Sequence, residues 1–196
     1  MKIVVLDTQC SNLLSVKIAI EKLGYHPIIT NDVHIISTAD KLFLPGVGSA
    51  AEIMKQLYKN NLVHVIKSIT CPILGICLGM QTLSSFSEES NGIEMLGIIN
   101  IPVLLLNSGQ LPLPHTGWNQ IYFDKKNILF KGIKTGSWFY FIHSYGFPVN
   151  IYTIARTLYN VYFSSVIQKE NFFGVQFHPE KSGKIGSKLI SNFLEI

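Results

Sequence analysis

The sequence predicts an α/β fold with a mainly parallel central sheet flanked by helices and an additional antiparallel β portion. Three observations predict it. The first half alternates short β-branched runs with segments of helical apolar spacing, the pattern of parallel strands joined by crossover helices. From about residue 97 the pattern changes to strand-like stretches divided by Gly, Pro and Asn, which supply turns. With 196 residues and 47% hydrophobic content, the chain fits one domain over 1–196 with a sizeable core.

Along the chain, "KIVVLD" reads as the first strand. In "NLLSVKIAIEKLG", Leu13, Val16, Ile20 and Leu23 recur at helical spacing, and Gly24 suits the helix C-terminus. "HPIIT" and "KLFLP" read as further strands. Ser49 and Glu52 in "SAAE" have the spacing of a capping box, which predicts a helix from there to about Lys67. "CPILGI" is the next strand. The second half offers "LGIINIPVLLL", "QIYF", "SWFYFIHSYGF", "IYTIART", "VYFSSVIQ" and "FFGVQF" as strands. A closing helix in "SGKIGSKLISNFLEI" has Ser182 as its expected N-cap. In such a sheet the loops at the carboxyl ends of the strands form the site.

Composition excludes several classes. The apolar run of "MKIVVLD" ends at Asp7 after four residues, too short for a signal peptide. Asn100 and Pro102 interrupt the longest apolar stretch below the roughly 20 residues of a membrane span. Cys10, Cys71 and Cys77 include no C-x-x-C pair, so neither a disulfide framework nor a thiolate zinc site is expected, and a cytoplasmic protein fits. The net charge of +4 comes without the basic cluster that marks nucleic-acid binding. Charged residues make up 14% of the chain, against about 25% for average globular proteins. Either another subunit covers part of the surface, or the composition has drifted toward Ile, Asn and Lys.

Chemistry concentrates at "LGICLGMQ". Gly-Ile-Cys-Leu-Gly has the form of a nucleophile elbow, in which a strand enters, the nucleophile occupies a strained turn and a helix leaves. Side chains at Gly75 or Gly79 would collide with the crossing backbone. The turn exposes the sulfur of Cys77 and aims backbone N–H groups and the helix's positive end at it, favouring thiolate and an oxyanion. "GVQFHPEKS" supplies the partners, because extended geometry would set His178 and Glu180 on one face. A carboxylate beside the imidazole fixes its tautomer, and the imidazole can deprotonate the thiol and later protonate an amine leaving group. His26, His34 and His64 are expected to face solvent, His143 to lie on the pocket rim, and His115 stays open. A metal site lacks a fourth ligand at convincing spacing.

At this point the sequence resembles the class I glutamine amidotransferases, whose Cys-His-Glu triad matches Cys77, His178 and Glu180. "LFLPGVGSA", "LGICLGMQ", "SEESNGIEMLG", "LPLPHTGWN", "YFIHSY" and "GVQFHPEKSGKIGSKLISNFLE" are similar to the glutaminase subunits of imidazole glycerol phosphate synthases. Gly79-Met80-Gln81 and Lys181 favour that branch over relatives with Gly-His-Gln and His-Pro-Glu-Ser. Many members begin with an Asp-Tyr-Gly-x-Gly-Asn-Leu loop, where this chain has "DTQCSNL". The resemblance implies hydrolysis of L-glutamine to glutamate and delivery of ammonia to a (β/α)8-barrel cyclase subunit in a heterodimer. That subunit makes imidazole glycerol phosphate and an aminoimidazole carboxamide nucleotide in histidine biosynthesis. No cofactor is implied. It further implies oxyanion and glutamine-binding roles for Val47, Gly48, Leu78, Gln81, Ser144 and Tyr145, and an interface at Asn12, Trp118, Asn119, Tyr140 and Lys181. Two alternatives remain: a stand-alone cysteine hydrolase of flavodoxin-like fold, and a catalytically silent regulatory subunit.

Overall fold

A computed structural model describes residues 1–9, 13–124 and 126–196; the expected interface residue Asn12 and residues 10 and 11 of the divergent stretch 8–11 lie outside them. In chain order the first half comprises β1 (Ile3–Leu6), α1 (Leu13–Glu21), β2 (Ile28–Thr30), α2 (Val33–Ser37), β3 (Lys41–Gly46), α3 (Ala50–Lys59), α4 (Leu62–Ser68), β4 (Ile73–Cys77) and α5 (Leu78–Gln81). The short strands β5 (Phe86–Ser87), β6 (Ile93–Glu94) and β7 (Leu104–Leu105) follow, then β8 (His115–Ile121), β9 (Ser137–His143) and β10 (Tyr145–Gly146). β11 (Thr153–Tyr159), β12 (Val161–Lys169), β13 (Phe172–Val175) and α6 (Gly183–Leu194) complete the order.

A seven-stranded sheet runs β11-β12-β13-β4-β3-β1-β2. The five strands from β13 to β2 are parallel, whereas β11-β12-β13 pair antiparallel. This is the expected mixture of a parallel sheet and an antiparallel portion. Successive strand side chains point to opposite faces, so one strand feeds two cores. Ile3 and Val5 join α1 and α6 on one face, packing with Val16, Ile20, Leu189 and Phe193. Val4 and Leu6 join α3 and α4 on the other, with Ile53, Leu57 and Ile66. Gly24, with φ +87°, follows α1 as expected. No helix of the described residues is long and apolar enough to cross a membrane.

Three expectations change. The helix expected from Ser49 to about Lys67 is two helices, divided where Asn61 adopts φ 56°, outside the helical region. Ser49 does cap α3, accepting from Glu52 N at 3.3 Å. "LGIINIPVLLL" forms only the two-residue β7, because Leu96, Ile99 and Val103 bury individually from an irregular path. Ser182 stands at the N-cap position of α6 without capping it. Its hydroxyl instead donates to His178 O at 2.6 Å and accepts from Tyr140 N at 3.0 Å, tying the His178 segment to β9.

β4 lies at the centre of the sheet, and glycine is required where it turns into α5. A Cβ on Gly79 would lie 1.7 Å from the carbonyl oxygen of Leu44 in β3, and one on Gly75 would lie 2.6 Å from Gly79 O. Real atoms do not approach so closely, so the elbow packs directly on its own sheet. Gly79→Ala is expected to lower unfolding stability by about 3 kcal/mol or more, at the upper end of overpacking costs, as read from the urea midpoint. An unchanged midpoint would show that the elbow relaxes without cost.

Candidate active site

Cys77 ends β4 and enters α5 with φ 55° and ψ −112°, the strained backbone expected of an elbow. The thiol is largely buried and lies 3.7 Å from both Ile142 O and Gln176 Nε2. Leu78 opens α5, and the first N–H groups of a helix have no intrahelical acceptor. Gly48, beside the expected oxyanion residue Val47, adopts φ +97° with open space where a Cβ would stand.

His178 follows β13, and its N–H donates to Tyr140 O at 2.8 Å. Its Nδ1 meets Glu180 Oε1 at 2.7 Å, and both side chains are almost fully buried. The pair forms by a route other than strand alternation. Pro179–Lys181 make one turn of 3-10 helix, which brings Glu180 back beneath the imidazole. Burial opposes charge on His178, but hydrogen bonding and charge interactions with Cys77 and Glu180 outweigh it and push its pKa up to about 10. His178 Nε2 is buried without a hydrogen bond of satisfactory geometry, while the Cys77 sulfur is near enough to act on the ring. The shift favours the imidazolium once the sulfur is deprotonated, because the carboxylate on one side and the thiolate on the other both stabilise it.

A cavity of about 350 Å³ opens on the sulfur. It gathers Val47, Gly48, Leu78, Gln81, Ser144 and Tyr145 with Cys77, His178 and Lys181. Gln81 Nε2 donates to Tyr145 O at 2.7 Å and to Gln176 Oε1 at 3.0 Å. Two lining or bridging residues had no sequence signal of their own. Glu89 lines the cavity and accepts from Ala50 N at 2.6 Å, and Gln176 bridges Gln81 to the thiol. A larger cavity of about 490 Å³, lined by residues such as Phe123, Asn127 and Phe130, contains neither the thiol nor a histidine.

The expected interface residues divide between two faces of the β8–β9 hairpin. In its antiparallel register Trp118 opposes Tyr140, their rings 6.2 Å apart edge to face. Trp118 is 53% exposed, as is Trp138, which the sequence reading missed on the same face. Asn119, one residue on, points the other way by strand alternation and bonds Leu158 O at 3.0 Å. Lys181 is exposed at the cavity mouth. His26, His34 and His64 are exposed, as expected. His143 lines the cavity but is buried, so it is a wall residue more than a rim residue.

A thiol on an elbow, beside an imidazole paired with a carboxylate, on an open α/β sheet, defines a cysteine-dependent acyl-transfer hydrolase. The family model for glutamine amidotransferase class-I matches residues 4–196, and the chain belongs to that family. Relatives named imidazole glycerol phosphate synthase subunit HisH are 56% identical in Buchnera aphidicola from Acyrthosiphon pisum, 57% in Blochmanniella pennsylvanica and 53% in Escherichia coli K12. Each likeness spans 196 residues and 100% of both chains. Among solved structures, a putative GMP synthase protein from Thermoplasma acidophilum superimposes with a TM-score of 0.76 at 19% identity. That match covers 100% of this chain and 92% of the other, and it supports the fold.

Proposed function

We propose that this chain is the glutaminase subunit of an imidazole glycerol phosphate synthase, acting in histidine biosynthesis. The observation that carries the chemistry is the 2.7 Å His178–Glu180 contact beside the Cys77 thiol. Full-length likeness to subunits of that name carries the choice of substrate and assembly. The Cys77 thiol gives its proton to His178, and the resulting thiolate attacks the side-chain carbonyl carbon of glutamine. The C–N bond breaks as His178 passes a proton to the departing nitrogen, releasing ammonia and leaving a γ-glutamyl thioester. Water then adds to the thioester carbonyl with His178 as base, and glutamate leaves while the sulfur recovers its proton. Leu78 N–H and the Val47–Gly48 peptide hold the oxyanion. Gln81 and the Ser144–Tyr145 edge bind the substrate, and the Glu89 carboxylate complements its ammonium group. Mass spectrometry of acid-quenched enzyme during glutamine turnover should place a glutamyl group on the peptide containing Cys77. Labelling of the Cys71 peptide instead would overturn the assignment.

The ammonia passes to a (β/α)8-barrel cyclase subunit, and the Trp118–Tyr140 face of the hairpin with Lys181 docks it. Exposed aromatic side chains of this kind anchor interface centres. The chain's low charge agrees with a covered surface. Trp118→Ala is expected to weaken association at least tenfold, since buried Trp anchors commonly contribute ~2 kcal/mol or more. Unchanged affinity by titration calorimetry removes Trp118 from the interface.

A further inference from the structure

Behind the reactive cavity lie two buried histidines that the acyl-transfer scheme does not use. His115 and His143 face each other across the β8–β9 register. His115 Nδ1 lies 3.1 Å from His143 Nε2, and His143 Nδ1 lies 2.8 Å from Tyr145 O. At the far end, Asn119 Nδ2 lies 3.2 Å from His115 Nε2. Hydrogen-bond logic allows one direction only. Tyr145 O is a carbonyl and can only accept, so His143 Nδ1 carries the proton and donates. In a neutral ring its Nε2 must then accept, which makes His115 Nδ1 the donor and His115 Nε2 an acceptor. Asn119 meets that demand, because its amide orientation is fixed independently. Oδ1 accepts from Gln120 N at 2.8 Å while Nδ2 donates to Leu158 O.

Neutrality is built in. Burial alone pushes the pKa of His115 down to about 4. Burial leads for His143 as well, the Tyr145 contact opposing it and the nearby His115 and His178 reinforcing it, down to about 3. The two imidazoles behind His178 are thus kept neutral, and a proton on either would put two donors face to face. The chain ends at Tyr145 O, which also accepts from Gln81, and Gln81 reaches Cys77 Sγ through Gln176.

We propose that His115 and His143 are positioning residues: the one-way chain Asn119→His115→His143 fixes the Tyr145 carbonyl, on which Gln81 and the substrate edge of the cavity are oriented. The inference rests on the glutaminase reading for its kinetic consequence and on geometry alone for its hydrogen-bond state.

Both parts can be measured separately. Long-range proton–nitrogen NMR of the histidine-labelled chain at neutral pH should find His115 and His143 neutral with the proton on Nδ1; an Nε2–H form or a cation at either overturns the chain. In the assembled enzyme, His143→Leu should raise the KM for glutamine about tenfold, the effect of losing one buried hydrogen bond. His143→Asn, which retains a donor near the Nδ1 position, should recover most of that. Alkylation of Cys77 by iodoacetamide, which needs the thiol but not the Tyr145 edge, should stay within about threefold in both variants. Equal KM values for the Leu and Asn variants, or an alkylation rate that falls in parallel with glutamine use, would refute the positioning role. Absence of glutaminase activity in the wild type would refute the functional reading and leave the NMR result standing.

Discussion

Cys77→Ala is expected to remove glutamine-driven synthesis, by about 10³-fold or more, while synthesis from added ammonium salt persists in the assembled enzyme. The Cys77 thiol is the proposed nucleophile and lines the cavity, whereas Cys71 lies on the chain just before β4, away from the cavity lining. The substitution leaves the packing that forms the elbow untouched, because that packing rests on Gly75 and Gly79 against the backbone of β3 and α5. The ammonium arm therefore reports assembly and the glutamine arm reports chemistry. Loss of both arms would point to a folding or docking defect in place of a missing nucleophile.

His178→Asn should approach the Cys77→Ala loss, since among the described residues His178 is the group paired with a carboxylate beside the sulfur and so placed to carry protons to the departing nitrogen. Glu180→Gln should be milder, by roughly 10–10². The amide oxygen of a glutamine can still accept from Nδ1–H across the present 2.7 Å, so the tautomer survives while the charge that supports the imidazolium is lost. The sign for pH follows. Glu180 is among the groups that raise the His178 pKa to about 10, so removing its charge must lower that pKa and narrow the alkaline side of the activity profile. The double variant should be no worse than His178→Asn, as expected for residues acting as one unit. Steady-state rates across pH with all three folded variants decide this; equal losses from the two single variants would contradict the assigned roles.

The fold class and the reactive elbow were legible because they rest on local rules. Short apolar, β-branched runs assign β1 and β4, helical apolar spacing assigns α1, and Gly75 and Gly79 announce a close backbone approach. Other features depend on tertiary contacts that no local pattern encodes. Asn60-Asn61 is an exception: Asn tolerates the left-handed region that Asn61 adopts, so the helix break did have a local signal beside the capping box. Ser182 has the composition of an N-cap, but a better partner in Tyr140 N, brought by β9, draws its hydroxyl away. Cys77, His178 and Glu180 were found from residue type and spacing. Glu89 and Gln176 reach the site across long sequence separations, through bonds to Ala50 and Gln81 respectively. The His115–His143 pair depends on the hairpin register, which places two histidines 28 positions apart side by side.

The most direct test of the account is glutamate release from glutamine by the free chain and by its complex with the proposed barrel cyclase. Gly48 holds φ +97°, and glycine tolerates either sign of φ, so the Val47–Gly48 peptide can present or withhold its N–H. The account predicts slow hydrolysis by the free chain and a rise toward 10²–10³-fold, roughly the worth of one oxyanion donor, when the partner and its nucleotide ligand favour the competent orientation. The activity should vanish with Cys77→Ala in every state. Glutamate release by the complex no greater than that of the Cys77→Ala complex would contradict the central claim that this chain is a cysteine-dependent glutaminase.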